Sequence, residues 1–156
     1  MKGNQKVIDA FNTLLANELA AIDQYFIHSR MYDDWGLNKL YERLNHEMEE
    51  EKDHADWLIK RILFLEGVPN MTKRRDLLIG NDVKSMMQND LTLELEVVAC
   101  VKDVIAICEE QQDYQSRSIL EKLLFDTEED HVYWLEQQIG LIDKIGSENY
   151  HQAQMA

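Results

Sequence analysis

Four glutamates and two histidines could do chemistry by virtue of their spacing: Glu18, Glu51, Glu94 and Glu128, with His54 and His131 three residues after the second and the fourth. A carboxylate and an imidazole three apart lie on one side of an α-helix and can close on one ion from that side. Glu18 precedes Glu51 by 33 residues, and Glu94 precedes Glu128 by 34. The order Glu, then Glu-x-x-His, therefore occurs twice, as though one helical hairpin were repeated about a two-fold axis.

All four glutamates fall inside apolar stripes when each residue is advanced by about 100° around a helix. Around Glu51, the residues Leu37, Leu40, Leu44, Leu58, Ile62 and Leu65 lie within about 40°, with His54 about 60° away on the same side. Val7, Phe11, Leu14, Ile22 and Tyr25 surround Glu18, and Val83, Met87, Val98, Val101 and Ile105 surround Glu94. Leu124, Val132, Leu135 and Ile139 do the same for Glu128. Four ionised carboxylates in one core would each cost several kcal/mol without compensation. Two divalent cations would cancel that charge. Carboxylates with imidazoles suit iron or manganese, and no thiolate shares the stripes to suggest another metal.

The bland alternative is a metal-free acidic helical scaffold whose acids sit at helix ends and pair with lysines. One Glu-x-x-His alone carries little weight: Glu148 and His151 make another, with no apolar stripe, and that one reads as chance. Four coordinated placements with an internal repeat favour the metal centre.

The elements that must position these residues are long helices. Four periodic segments run over about 4–33, 37–66, 83–112 and 114–145, with a short helix at 147–154, in one domain spanning 1–156. Gly36 and Gly146 are expected to end helices, and Asp113 to cap one. Residues 67–82, GVPNMTKRRDLLIGND, hold the chain's one proline and form a long irregular connection. Sixteen extended residues reach about 50 Å, enough to return the chain along the bundle. The expected architecture is all-α: a four-helix bundle of two hairpins joined by one long crossover, with a short fifth helix.

Composition narrows the partners. Thirty acids against 16 bases leave a net charge of −14, which repels phosphate backbones and anionic lipid. Neither nucleic acid nor a membrane is an expected partner. The start MKGNQKV is not that of a secretory signal, and no apolar run is long enough to span a bilayer. Cys100 and Cys108 stand about 12 Å apart along one helix, too far to bridge, so a reducing, cytoplasmic setting is expected.

Over nearly its whole length the sequence resembles the bacterioferritins and the related bacterial ferritins. The matching stretches are NELAAIDQYFIHSRMYDDWG (17–36), HADWLIKRILFLEGVPN (54–70), DLTLELE (90–96), EEDHVYWLEQQIGLIDKIG (128–146) and ENYHQAQM (148–155). The resemblance implies the ferritin-like bundle and an iron-storing, iron-detoxifying ferroxidase. Its centre would hold two irons within one subunit and oxidise Fe(II) with O₂ or peroxide, and ferric mineral would be deposited inside a 24-subunit shell. Glu51 and Glu128 would bridge the irons; Glu18 with His54, and Glu94 with His131, would complete the two sites. The second Glu-x-x-His falls one residue later after Glu94 than the family pattern has it, so a small bulge in the fourth helix is expected. A di-iron peroxidase of the rubrerythrin kind is a weaker match, since no Cys-x-x-Cys module is present.

Outside the six ligands, Tyr25 lies about 20° from Glu18 and could hydrogen-bond a ligand carboxylate. His46 and Glu50, one helical turn apart, point away from the stripe as a solvated face or an iron relay. The resemblance further implies haem b held between subunits by a methionine directly after the first bridging glutamate. Lys52 occupies that position. A lysine ammonium cannot ligate iron, and Met48 lies about 6 Å away along the axis. Homo-oligomers are therefore expected to bind little haem, and co-assembly with a haem-binding bacterioferritin subunit is the other expectation.

Overall fold

In the computed structural model, which describes residues 1–155, the chain is helical almost throughout, and no strand occurs among the described residues. Helix α1 spans Gln5–Asp34, α2 Asn38–Phe64 and α3 Val83–Glu110. The fourth long segment is α4 (Tyr114–Phe125), a π-helical turn (Asp126–Val132) and α5 (Tyr133–Ile145), followed by α6 (Ser147–Gln154).

Local chemistry sets the ends. Asn4 caps α1 through its side chain to Lys6 N–H, and Asp82 and Ser85 form a reciprocal capping box on α3. Asp113 receives Ser116 N–H at the start of α4. Gly36 and Gly146 take φ of 74° and 80° at their helix ends, a region that costs a residue with a Cβ. The expected boundaries thus hold to within two residues.

Helix α1 packs on α2 and α3, and α3 packs on α4, the π turn and α5. This gives the two hairpins and one bundle. The core between them contains Phe11, Leu14, Leu15, Leu40, Leu44, Leu58, Met86, Leu93 and Leu120.

Residues 67–82 run beside α1 in the same direction. Asn12 donates to Val68 C=O (3.1 Å) and receives Asn70 N–H (2.8 Å). Further along, Asp23 meets Arg74 (3.0 Å), Gln24 receives Leu78 N–H (3.0 Å), and His28 Nε2 accepts from Gly80 N–H (3.3 Å). The long connection is therefore tied down along its course and delivers the chain to the start of α3.

The fourth segment departs from the uniform helical wheel. Its buried residues are Ser116, Leu120, Leu123, Thr127, His131, Leu135 and Ile142, not the expected series through Leu124, Glu128 and Val132. A π turn takes in more residues than an α turn, which shifts the phase of the stripe by about one residue there. The expected bulge is this turn, and its consequence falls on Glu128.

Candidate metal centre

Glu18 enters the bundle from the middle of α1, Glu51 and His54 from α2, Glu94 from α3 and His131 from the π turn. All five are almost wholly buried. They form two overlapping groups whose candidate ligand atoms lie within 4.8 Å of one another: Glu18, Glu51 and His54; and Glu51, Glu94 and His131.

Glu51 belongs to both groups, and its two oxygens are divided between them. Oε2 lies 3.2 Å from His54 Nδ1, and Oε1 lies 2.9 Å from His131 Nδ1. The Glu18 carboxylate reaches His54 Nδ1 at 3.6 Å, and Glu94 reaches His131 Nδ1 at 3.2 Å. The imidazoles stand nearly parallel, with centroids 5.9 Å apart. Tyr25 donates its hydroxyl to Glu94.

Crowding these groups perturbs their protonation. Burial pushes the Glu18 and Glu94 carboxyls up, and the Glu51 charge beside them adds to it. Burial also works against ionised Glu51, yet the Glu18 carboxyl and the two imidazoles outweigh it and hold Glu51 well below the usual carboxylate range. The two histidines go up despite burial. Hydrogen bonding and attraction to Glu18 and Glu51 carry His54 to about 11, while Glu94 and Glu51 hold His131 protonated. The metal-free cluster keeps itself tolerable by gathering protons where cations would do the same work.

Glu128 stands outside this cluster. Its side chain is more than one-third exposed and pairs with Lys102 at 2.9 Å. The phase shift places Thr127 on the buried face instead, where its hydroxyl donates to Leu123 C=O (2.9 Å). The geometry thus joins five of the six expected residues, with Glu51 the one carboxylate common to both groups.

Two further carboxylates, absent from the expected set, reach the outer nitrogens of the imidazoles. Asp126 lies 3.3 Å from His54 Nε2. Glu47, itself buried and paired with Arg43, lies 2.6 Å from His131 Nε2. Glu47 precedes Glu51 by four residues and so sits on the same stripe, a signal readable in sequence. Asp126 faces inward because of the π turn, which no uniform wheel reveals.

Glu50 and His46 are more involved than a solvated face. Exposed His46 meets Glu50 at 3.2 Å, and Glu50 meets His131 Nε2 at 3.0 Å. Lys52 points to solvent and pairs with Glu49 at 3.0 Å, whereas Met48 is packed in the core. His151, in α6, stands apart from the centre and lines a groove with Trp35 and Met155. Cys100 and Cys108 are free thiols, and among the described residues no helix is long and apolar enough to cross a membrane.

A helical bundle with one long crossover, enclosing carboxylates and imidazoles from its four long segments, is a ferritin-like bundle. The chain belongs to the ferritin family, and its residues 8–145 match the family's ferritin-like domain. It is 59% identical to the bacterial ferritin of Pseudomonas aeruginosa over 155 residues, 99% of this chain and all of that one. Against the bacterial ferritin of Synechocystis sp. the identity is 56% over 156 residues, the whole of both chains. The bacterioferritin of Brucella melitensis is 42% identical over 156 residues, all of this chain and 96% of that one.

Proposed function

We propose that this chain stores iron as a subunit of a hollow homo-oligomeric shell of 24 copies, and that each chain oxidises Fe(II) at its own two-ion centre. The observation that carries the reading is the division of Glu51 between two imidazole-bearing groups, the arrangement a bridging carboxylate requires. Glu18 with His54 would hold one Fe(II), and Glu94 with His131 the other. Glu51 would span both.

Each Fe(II) gives up one electron. Two electrons and two protons convert O₂ to hydrogen peroxide, or peroxide to water, and the Fe(III) passes on as cargo. Glu18, Glu51 and Glu94 supply three negative charges, which favour the higher oxidation state after electron loss. Tyr25 braces Glu94 through its hydroxyl. The line His46–Glu50–His131 runs from an exposed ring to a buried ligand and would guide Fe(II) inward.

Lys52 argues against bis-methionine haem in a homo-oligomer. Any haem would need a methionine-bearing partner subunit, and the Soret spectrum of the chain purified alone tests this.

The central experiment is aerobic addition of Fe(II) to the metal-free protein, following Fe(III) formation by stopped-flow absorbance. The expected result is a fast phase saturating at two Fe(II) per chain, then slower accumulation of ferric mineral. Absence of a saturable fast phase, with no iron retained, would support the metal-free scaffold instead.

A further inference from the structure

Both imidazoles of the centre present Nδ1 to the ligand carboxylates, and both have a carboxylate from outside that set on Nε2. An imidazole that lends one nitrogen to a metal has its other N–H free to donate. A carboxylate accepting that N–H fixes both the tautomer and the ring plane. Resting on the proposed two-ion reading, we infer that Asp126 on His54, and Glu50 with Glu47 on His131, are positioning residues that hold the two rings as Nδ1 ligands.

The two supports are built differently. Glu47 is buried, and Arg43 grips both Glu47 on α2 and Asp130 on the π turn (2.7 Å) while lying over the Trp134 ring (4.8 Å to its centroid). Arg43 thereby ties the helix that supplies Glu47 to the turn that supplies His131. Glu50 is the acid in hydrogen-bond geometry with the same Nε2 (3.0 Å), and Glu47 lies beside it as a close ion-pair partner. Asp126 has no such clamp. It is about one-third exposed and lines a cavity of about 130 Å³ with Glu50, Asp53, His54, Trp57 and Lys122.

The π turn gains a reason here. The same shift of phase that carries Glu128 out to Lys102 brings Asp126 onto His54 and leaves His131 facing Glu51. In an unbroken α-helix Asp126 and His131 would differ by about 140° in direction, whereas here both reach the same centre. One irregular turn therefore supplies a ligand to one half of the centre and the support for the other half.

The test is a Co(II) titration of the assembled, metal-free protein, read by visible absorption. The wild type should bind two ions per chain. Asp126→Ala should weaken one ion by about 10–100-fold and leave the other within about threefold. Because either acid can accept from His131, Glu47→Ala is combined with Glu50→Ala, and the pair should weaken the opposite ion. Asp126→Asn, and Glu47→Gln with Glu50→Gln, keep an amide oxygen for the N–H and should restore most of the loss. In ¹⁵N-histidine-labelled protein loaded with Zn(II), solid-state spectra should show Nε2–H on both rings in the wild type, and mixed tautomers only on the unsupported ring of each alanine variant. Unchanged affinities in variants of a wild type that holds two ions would overturn the positioning role alone, as would equal loss of both ions or no rescue by the amides. A wild type that binds no Co(II) at these residues would overturn the proposed function as well.

Discussion

His28 and His54 both stand buried beside carboxylates, yet their surroundings are closed in different ways. Asp90 Oδ1 accepts from His28 Nδ1 (2.8 Å) and from Gln24 Nε2 (2.8 Å). The crossover's backbone then completes the two partners, with Leu78 N–H on Gln24 and Gly80 N–H on His28 Nε2. Donors and acceptors alternate, and one Asp90 oxygen alone lacks a donor. Around Glu51, by contrast, three carboxylates share two imidazoles, and both oxygens of Glu18 and one of Glu94 have no hydrogen-bond donor. The same residue types thus make a finished structural joint in one place and a demand for positive charge in the other. A buried carboxylate with neighbours that can all donate belongs to the fold; one surrounded by other carboxylates belongs to a ligand.

The largest expected effect follows from removing the shared residue. Glu51→Ala should abolish the fast oxidation of the first two Fe(II) per chain and weaken binding of both Co(II) ions, while the chain still folds and assembles. Stopped-flow absorbance and size measurement together decide it, and an unchanged fast phase would refute the assigned centre.

Asp90→Ala should do the reverse. Removing Asp90 leaves the buried donors of His28 and Gln24 unpaired, at about 1–3 kcal/mol each, so the chemical unfolding midpoint should drop sharply with or without metal. Co(II) affinity should stay within a few fold of wild type in the protein that remains folded. Glu94→Gln completes the contrast. The metal-free protein should be as stable as wild type or more so, because one of the repelling carboxyls is gone. The rise in melting temperature on adding Co(II) should shrink. A large loss of stability in the metal-free variant would place Glu94 with the structural joint instead.

Proton uptake gives the next test. His54 titrates near 6.5 when unfolded and at about 11 in the folded, metal-free cluster. Between those values the folded chain keeps a proton that the unfolded chain has lost, so the linkage slope is negative. The stability His54 contributes is complete below pH 6.5 and is lost as pH rises through about 11. The raised Glu18 carboxyl acts in the same sense above its unfolded value. Melting temperatures of the metal-free protein should therefore fall from pH 7 to pH 10. Saturating Zn(II) should flatten that fall, because the ions replace the protons. An equal fall with and without Zn(II) would break the link between the protons and the centre.

How far the sequence carries this picture depends on helical phase. In α1, α2 and α3 the period of 3.6 holds from end to end, so the apolar stripes placed Glu18, Glu51, His54 and Glu94 on buried faces that the structure repeats. Caps and punctuation were equally readable, from Asp113 to Gly146. The fourth segment was read as one uniform helix, and the phase before residue 126 cannot be carried past it. The family resemblance, with its one-residue offset after Glu94, implies an irregular turn, but it does not say which residues turn inward. His28 gives no signal in the sequence, because its partners Asp90 and Gly80 are distant in the chain and meet only when the crossover is in place.

Glu128 offers the smallest expected effect and the finest discrimination. The family resemblance implies that it bridges two ions, so that its loss would be as damaging as the loss of Glu51. In the structure it sits at the surface on Lys102, and exposed pairs of this kind contribute about 0–1 kcal/mol. Glu128→Ala should then leave the fast phase within a few fold of wild type and shift the melting temperature by no more than a degree or two. Thr127, on the buried face, should be the more sensitive of the neighbours: Thr127→Glu would force another carboxylate toward the centre and lower the stability of the metal-free protein. If Glu128→Ala instead removed the fast phase as completely as Glu51→Ala, the side chain must leave Lys102 when metal binds. Lys102→Met would then raise Co(II) affinity by releasing it. Parallel titrations of the wild type and these three variants separate a surface pair from a ligand held in waiting.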